Sequence, residues 1–153
     1  MKSKFRKAEI TERYWLSHLT NKHNKWAIKK IYENDYNYWD ANLVIDFLTL
    51  LAEIKIRTFA HTKYADAILE KSKVDKIMEQ IKINRDKYIG RGQNLAGAYL
   101  AVYPASSMAL LFNIANWTGE GTQLMPRTTM GNREMVMTPV YYYNINTAIK
   151  LEL

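Results

Sequence analysis

The chain lacks cysteine across all of its 153 residues. That excludes disulfide bridges and thiolate metal ligands, and it leaves the redox compartment undetermined. It also lacks any apolar run near the roughly 20 residues that span a bilayer, and its N-terminus has no apolar signal core. The expected setting is the cytoplasm, away from membranes. No Gly-x-Ser-x-Gly elbow, Walker A loop or His-Glu-x-x-His helix is present, which removes familiar signatures of acyl transfer, nucleotide hydrolysis and zinc proteolysis. Only three histidines occur. One of them, His61, has no second His, Cys or acid at ligand spacing and is expected to be solvated. With three prolines, six glycines and no internal repeat, low-complexity tract or linker, residues 1–153 read as one domain, long enough to bury a sizeable core.

What the chain does have is an excess of positive charge. Lysine and arginine number 22 against 15 acids, a formal net charge of +7, in a composition otherwise ordinary for a soluble globular protein, 48% apolar and 24% charged. Such an excess favours a polyanionic partner, nucleic acid above all. A soluble basic protein with no such partner is the plain alternative.

A basic stretch (Lys2, Lys4, Arg6, Lys7) precedes a helical pattern from Ala8 to about Lys22, with Ile10, Tyr14, His18 and Leu19 at intervals of three and four. Glu9 and Glu12 fall in its first turns, where acids suit the helix dipole; a catalytic role is the other reading. Asn21 and Asn24 end the helix. Residues 26–32 then alternate loosely, as a first strand does, and Glu33 to Asn37 form a polar turn. After a central strand described below, Thr58 to Lys63 read as a loop and Tyr64 to Glu70 are ambiguous. Lys71 to about Ile83 is helical, with Val74, Ile77, Met78 and Ile81 as an apolar stripe. Its other face carries Lys71, Lys73, Lys76 and Lys82, either a solvated face or a surface for a nucleic-acid backbone. Asn84 to Asn94 reads as a polar loop. Ala98–Tyr103 and Met108–Ile114, joined by a turn at Pro104 to Ser107, are apolar without clean alternation, as expected of strands buried on both faces in mid-sheet. Two glycines break the pattern between Trp117 and Gly121, and Leu124 to Pro139 is a polar, Met-rich segment with Arg127 and Arg133. Val140–Tyr143 is a late strand, placed on an edge because Pro139 starts it. Its three tyrosines either stack bases or line both faces of a strand.

The sharpest signal lies in Leu48–Arg57, a strand free of Gly and Pro. Side chains alternate along a strand, so Glu53 and Lys55 share one face and Ile54 and Ile56 the other. Charged groups inside an apolar strand are costly to bury without a reason. Upstream, Tyr38–Ile45 reads as a second strand carrying Asp40. If Asp46 and Phe47 form a two-residue hairpin loop, Ile45 pairs with Leu48 and Asp40 falls opposite Glu53. Asp-Phe is not the Asn-Gly or Asp-Gly that such turns prefer. Cross-strand partners stand about 5 Å apart at Cβ, so these two carboxylates could grip one divalent cation.

A helix, a hairpin bearing Asp40 and then, after twelve intervening residues, Glu53-Ile54-Lys55, a further helix and returning strands together resemble the PD-(D/E)XK nuclease superfamily. Trp39 stands where the name has proline. Ile68–Asp75 and Trp117–Thr129 are similar to segments of small phage-encoded members. The resemblance implies an α/β fold of restriction-endonuclease type, a mixed central β-sheet flanked by helices. It implies Mg²⁺ or Mn²⁺ held by Asp40, Glu53 and the Ile54 carbonyl, a metal that polarises the scissile phosphate and activates a water. Lys55 would orient that water and offset transition-state charge. An acid of the first helix, Glu12 or Glu9, would join the site, and Glu70 and Lys71 would lie just outside it. Lys71, Lys73 and Arg57 are the expected contacts to DNA, and a homodimer would suit a nuclease that cuts both strands. The rival readings are a surface salt-bridge cluster of little energetic weight, a DNA-binding protein without turnover, and a structural protein in which the tyrosines and Met-rich segment form subunit contacts.

Overall fold

The computed structural model describes residues 2–23, 26–31, 39–126 and 134–153, with side chains at 10–23, 26–27, 39–125 and 134–153. Asn24, the turn over 33–37, Arg127 and Arg133 lie outside the described residues, as do the side chains of Lys2, Lys4, Arg6, Lys7 and Glu9.

Helix α1 (Lys2–Lys22) starts six residues before the Ala8 at which its apolar spacing becomes visible. Glu9 and Glu12 are therefore in mid-helix, and the first turn holds no acid; the dipole does not account for them. Leu16 and Leu19 are its buried residues among the described side chains. Strands β1 (Trp26–Ile31), β2 (Ala41–Ile45) and β3 (Leu48–Ile56) follow as an antiparallel meander. The expected hairpin is present, with Ile45 paired to Leu48 and Ala41 to Ala52. Asp46 makes the turn at φ 51°, a left-handed conformation that Asp tolerates better than most residues.

The segment before the second helix resolves as β4 (Asp66–Glu70), which leads directly into α2 (Lys71–Ile89). Val74, Ile77 and Ile81 are its buried stripe. The helix continues through residues 84–89, where a loop was expected. No Gly or Pro interrupts it before Gly90, and Tyr88, seven residues on from Ile81, extends the stripe onto the core. Next come β5 (Asn94–Tyr103) and β6 (Met108–Asn113), joined by a 3-10 turn at Pro104–Ser106. The chain ends with β7 (Gly119–Pro126), β8 (Met135–Asn144) and β9 (Ile149–Glu152).

Two sheets result. The larger has the order β1-β2-β3-β5-β6-β9, mixed because β3 and β5 run parallel across the β4–α2 crossover. The smaller is β4-β8-β7. So β8 is a middle strand and not an edge, although β4 pairs with it only from Val140 onward, which leaves Pro139 with β7 alone beside it. One of the two glycines of β7 has a packing reason: Tyr142 lies across Gly121, and a Cβ there would strike its ring.

The large sheet separates two apolar clusters. Leu50, Ala52, Ile54, Ala98, Leu100 and Val102 face α1. Leu51, Tyr99, Ala101 and Tyr103 face α2 and the small sheet. Tyr99, Phe112 and Tyr143 pack with ring centroids 5.4–5.6 Å apart, and the Tyr143 hydroxyl donates to the Ile114 carbonyl at 2.7 Å. Contacts of this kind stabilise by about 0.5–1.5 kcal/mol each beyond area burial. The late tyrosines thus line both faces of β8, as the second of their two readings held. His61 is only half-exposed and has a partner: its Nδ1 lies 2.8 Å from the Ser106 hydroxyl, beside the Tyr103 ring.

Where β5 meets α2, Gly97 allows the closest approach; a Cβ there would fall on the Ile114 methyl and crowd Ile77 and Ile81. Gly97→Ala should destabilise the chain by about 1–3 kcal/mol, the usual cost of overpacking. Urea unfolding would show this as a lower midpoint at unchanged slope; an unaltered midpoint would mean the helix is not packed this closely.

Candidate active site

The site begins with a mismatch in strand length. The last β2–β3 pair is Ala41 with Ala52, yet β3 runs on to Ile56. Residues 53–56 therefore lack a β2 neighbour on that side. Asp40, the residue just before β2, fills part of the gap. Its backbone N–H donates to the Ala52 carbonyl at 2.9 Å, and its Oδ2 accepts from the Ile54 N–H at 2.8 Å. A side-chain carboxylate thus accepts the bond that a backbone carbonyl would take in a continuing ladder. The N–H and C=O of one strand residue point to the same side, so the Ile54 carbonyl also projects past the end of β2, beside Asp40.

Glu53 and Lys55 point from β3 toward α2. Glu53 is 2% exposed, a carboxylate that needs counter-charge. It has two: Lys73 Nζ at 2.7 Å and Lys55 Nζ at 3.2 Å, both on Oε1. Lys73 comes from the first turn of α2. Burial disfavours its ammonium, but the charge and hydrogen bond of Glu53, with help from Glu70, hold its pKa above the ordinary lysine range.

From the other side of the sheet, Glu12 of α1 enters the same electrostatic field. Burial raises its carboxyl from an ordinary 4.5 to about 7; Asp40 and Glu53 add to the rise, and Lys55 and Lys73 oppose it. Burial likewise lifts Asp40 from 3.8 to about 6, reinforced by Glu53 and countered by the Ile54 hydrogen bond and the two lysines. Acids pushed up in this way by burial and by one another mark a place short of positive charge. Among the described residues, no three His, Cys, Asp or Glu side chains form a ready-made metal cage.

The structure therefore brings Asp40, Glu53, Lys55, Ile54 and Glu12 to one edge of the sheet. Lys73 joins them, although the sequence placed it on a lysine-rich helix face. One signal marked this turn, though it applies to Lys71 as much as to Lys73: a cation in a first turn opposes the helix dipole, and this turn holds no acid to offset it. Arg57, on the same β3 face, has its Nη2 bonded to the Ile68 carbonyl at 2.9 Å and to the Tyr99 hydroxyl at 3.1 Å, and so ties β3 to β4 and β5. Lys71 stands with Nζ 5.5 Å above the Tyr141 ring, which stacks on Trp117 at 4.1 Å. Glu70 is the N-cap residue of α2 but makes no side-chain cap bond.

No protein-family model matches the chain, and no curated protein matches it in sequence. Among solved structures it is similar to Hjc, a Holliday junction resolvase from the archaeal hyperthermophile Archaeoglobus fulgidus. The TM-score is 0.52 with 14% identity, over 92% of each chain. At that identity the likeness is one of fold. The chain has the restriction-endonuclease-like α/β fold that the resemblance to PD-(D/E)XK nucleases implies.

Because Asp40 and Glu12 bind protons more tightly folded than unfolded, the folded state holds the extra protons between pH 4 and 7 or so. Stability contributed by these groups is present below their ordinary values and is lost as pH rises through about 6 and 7. In EDTA, thermal stability should therefore fall from pH 4.5 to 7.5, and Glu12→Gln should flatten the fall. Melting curves with the same slope in both proteins would contradict the burial of Glu12 at this site.

Proposed function

We propose that this protein is a divalent-cation-dependent nuclease that hydrolyses DNA phosphodiester bonds. The observation that carries the reading is the convergence of Asp40, Glu53 and Lys55 where β2 leaves β3, with the Ile54 carbonyl directed into the same gap. The donors fit a hard cation. Asp40, Glu53, Glu12 and the Ile54 carbonyl offer only oxygen, which suits Mg²⁺ or Mn²⁺ and not the softer thiolate-seeking metals. Such a cation supplies Lewis-acid polarisation of the phosphate and a more acidic water.

The chain's own residues do the rest. Asp40, held by the Ile54 N–H, and Glu53, held by its lysines, would fix the cation between β2 and β3. Lys55 would orient the attacking water and face the charge that builds on the phosphate in the transition state. Glu12, with a carboxyl near pH 7 while the site holds no cation, is suited to exchange a proton with water or to join the ligands once ionised. Lys71 is the candidate contact to a backbone phosphate outside the centre, with Arg57 mainly bracing β3 from beneath. The net charge of +7 supports a DNA partner.

The similarity to a Holliday junction resolvase makes four-way DNA junctions the first substrate to try, beside plasmid and single-stranded DNA. Cutting both strands calls for two sites, and a second copy of this chain is the simplest source of the other. The phage association implied by the sequence draws no support from an archaeal neighbour.

Purified protein should cleave DNA in Mg²⁺ or Mn²⁺ and lose that activity in EDTA. Lys55→Ala and Glu53→Gln should each lower the rate by about a hundredfold or more while DNA binding persists. Absence of cleavage on plasmid, junction and single strands with either metal would refute the proposal. Cleavage that survives Lys55→Ala would refute the assigned site.

A further inference from the structure

Glu53 is held by more positive charge than an ion pair requires. One ammonium satisfies a buried carboxylate; here Lys73 and Lys55 both rest on Oε1. Lys55 is carried there by β3, two residues along the same face. Lys73 reaches in from another element, 20 residues away in sequence, out of a helix turn that disfavours a cation. Its contact is the shorter of the two, 2.7 against 3.2 Å. Together the two ammonium groups bring to Glu53 the same double positive charge as one divalent cation.

Resting on the proposed function, we propose that Lys73 is a positioning residue that stands in for the divalent cation on Glu53 and competes with it. While the site waits, Lys73 pairs with the buried carboxylate and holds it in place. A dication arriving at Glu53 meets an ammonium a few ångströms away, and their repulsion in a partly buried site is strong. Lys73 must then yield its hydrogen bond. The native lysine therefore weakens metal binding while it stabilises the metal-free fold.

Titration of Mn²⁺ alone into the intact chain, followed by calorimetry, tests this without reference to turnover. Lys73→Met should bind Mn²⁺ about tenfold more tightly than the native protein, and its melting temperature should be lower in EDTA and rise further on adding Mn²⁺. Lys73→Arg, which keeps the charge, should bind as the native protein does. Lys150→Met, which removes one charge from the exposed strand β9, should leave the affinity unchanged. Equal or weaker binding by Lys73→Met would overturn the inference and leave Lys73 a structural prop. Tighter binding by Lys150→Met to the same degree would also overturn it, as an effect of net charge. Should Lys73→Met fail to fold in EDTA, recovery of the fold in Mn²⁺ supports the competition and failure to recover counts against it. If neither the native protein nor Lys73→Met binds Mn²⁺ at all, the metal-dependent reading itself falls, and the inference with it.

Discussion

A carboxylate buried between the large sheet and the start of a helix is the constraint on which the rest of this structure depends. Glu53 is expensive to hold ionised away from water, and the chain meets that cost with two ammonium groups drawn from different elements. Bringing Lys73 to it fixes where α2 begins, and hence where β4 must end. Replacing such an arrangement with apolar side chains is often neutral or stabilising in other proteins. Its presence here, at an open strand edge, is better accounted for by chemistry than by stability.

The second constraint is geometric. β2 stops pairing at Ala41 while β3 continues to Ile56, and just past that point the Ile54 N–H is met by the side chain of Asp40. The same event sets a carboxylate and a backbone carbonyl beside the strand that carries Glu53, within the electrostatic field that also reaches Glu12 of α1. The residues that end the pairing are thus those of the proposed centre. The likeness to the Hjc fold extends over most of the chain at 14% identity, which is the level at which architecture persists while surface and substrate contacts diverge.

Much of this was legible in the sequence. The Ile45–Leu48 pairing follows from the only polar break between two apolar strands, and counting outward from it brings Asp40 to the Ala52–Ile54 stretch of β3, where it bonds the backbone on either side of Glu53. The face shared by Glu53 and Lys55 follows from strand alternation, and the mid-sheet place of β5 and β6 from two apolar strands without clean alternation; the mixed sheet followed from the family resemblance. What was not legible depends on tertiary contact. Residues 84–87 are polar, so a loop was the natural expectation; Tyr88 keeps the segment helical by reaching a core that the sequence does not display. The strands β4, β7 and β9 are short or glycine-bearing, and they exist because neighbours pair with them. His61 looked isolated because its partner, Ser106, lies 45 residues away. Lys73 was read as a DNA contact beside Lys71 for the same reason, its partner Glu53 lying 20 residues away in sequence.

The central claim is that the gap beside β3 holds a divalent cation. Soaking crystals of the protein in Mn²⁺ and recording the anomalous signal of the metal tests it most directly. The account predicts a single strong peak about 2.1 Å from oxygens of Asp40 and Glu53 and from the Ile54 carbonyl, with Lys73 Nζ withdrawn from Glu53. No peak at that place, with Lys73 still bonded to Glu53 at saturating metal, would contradict it.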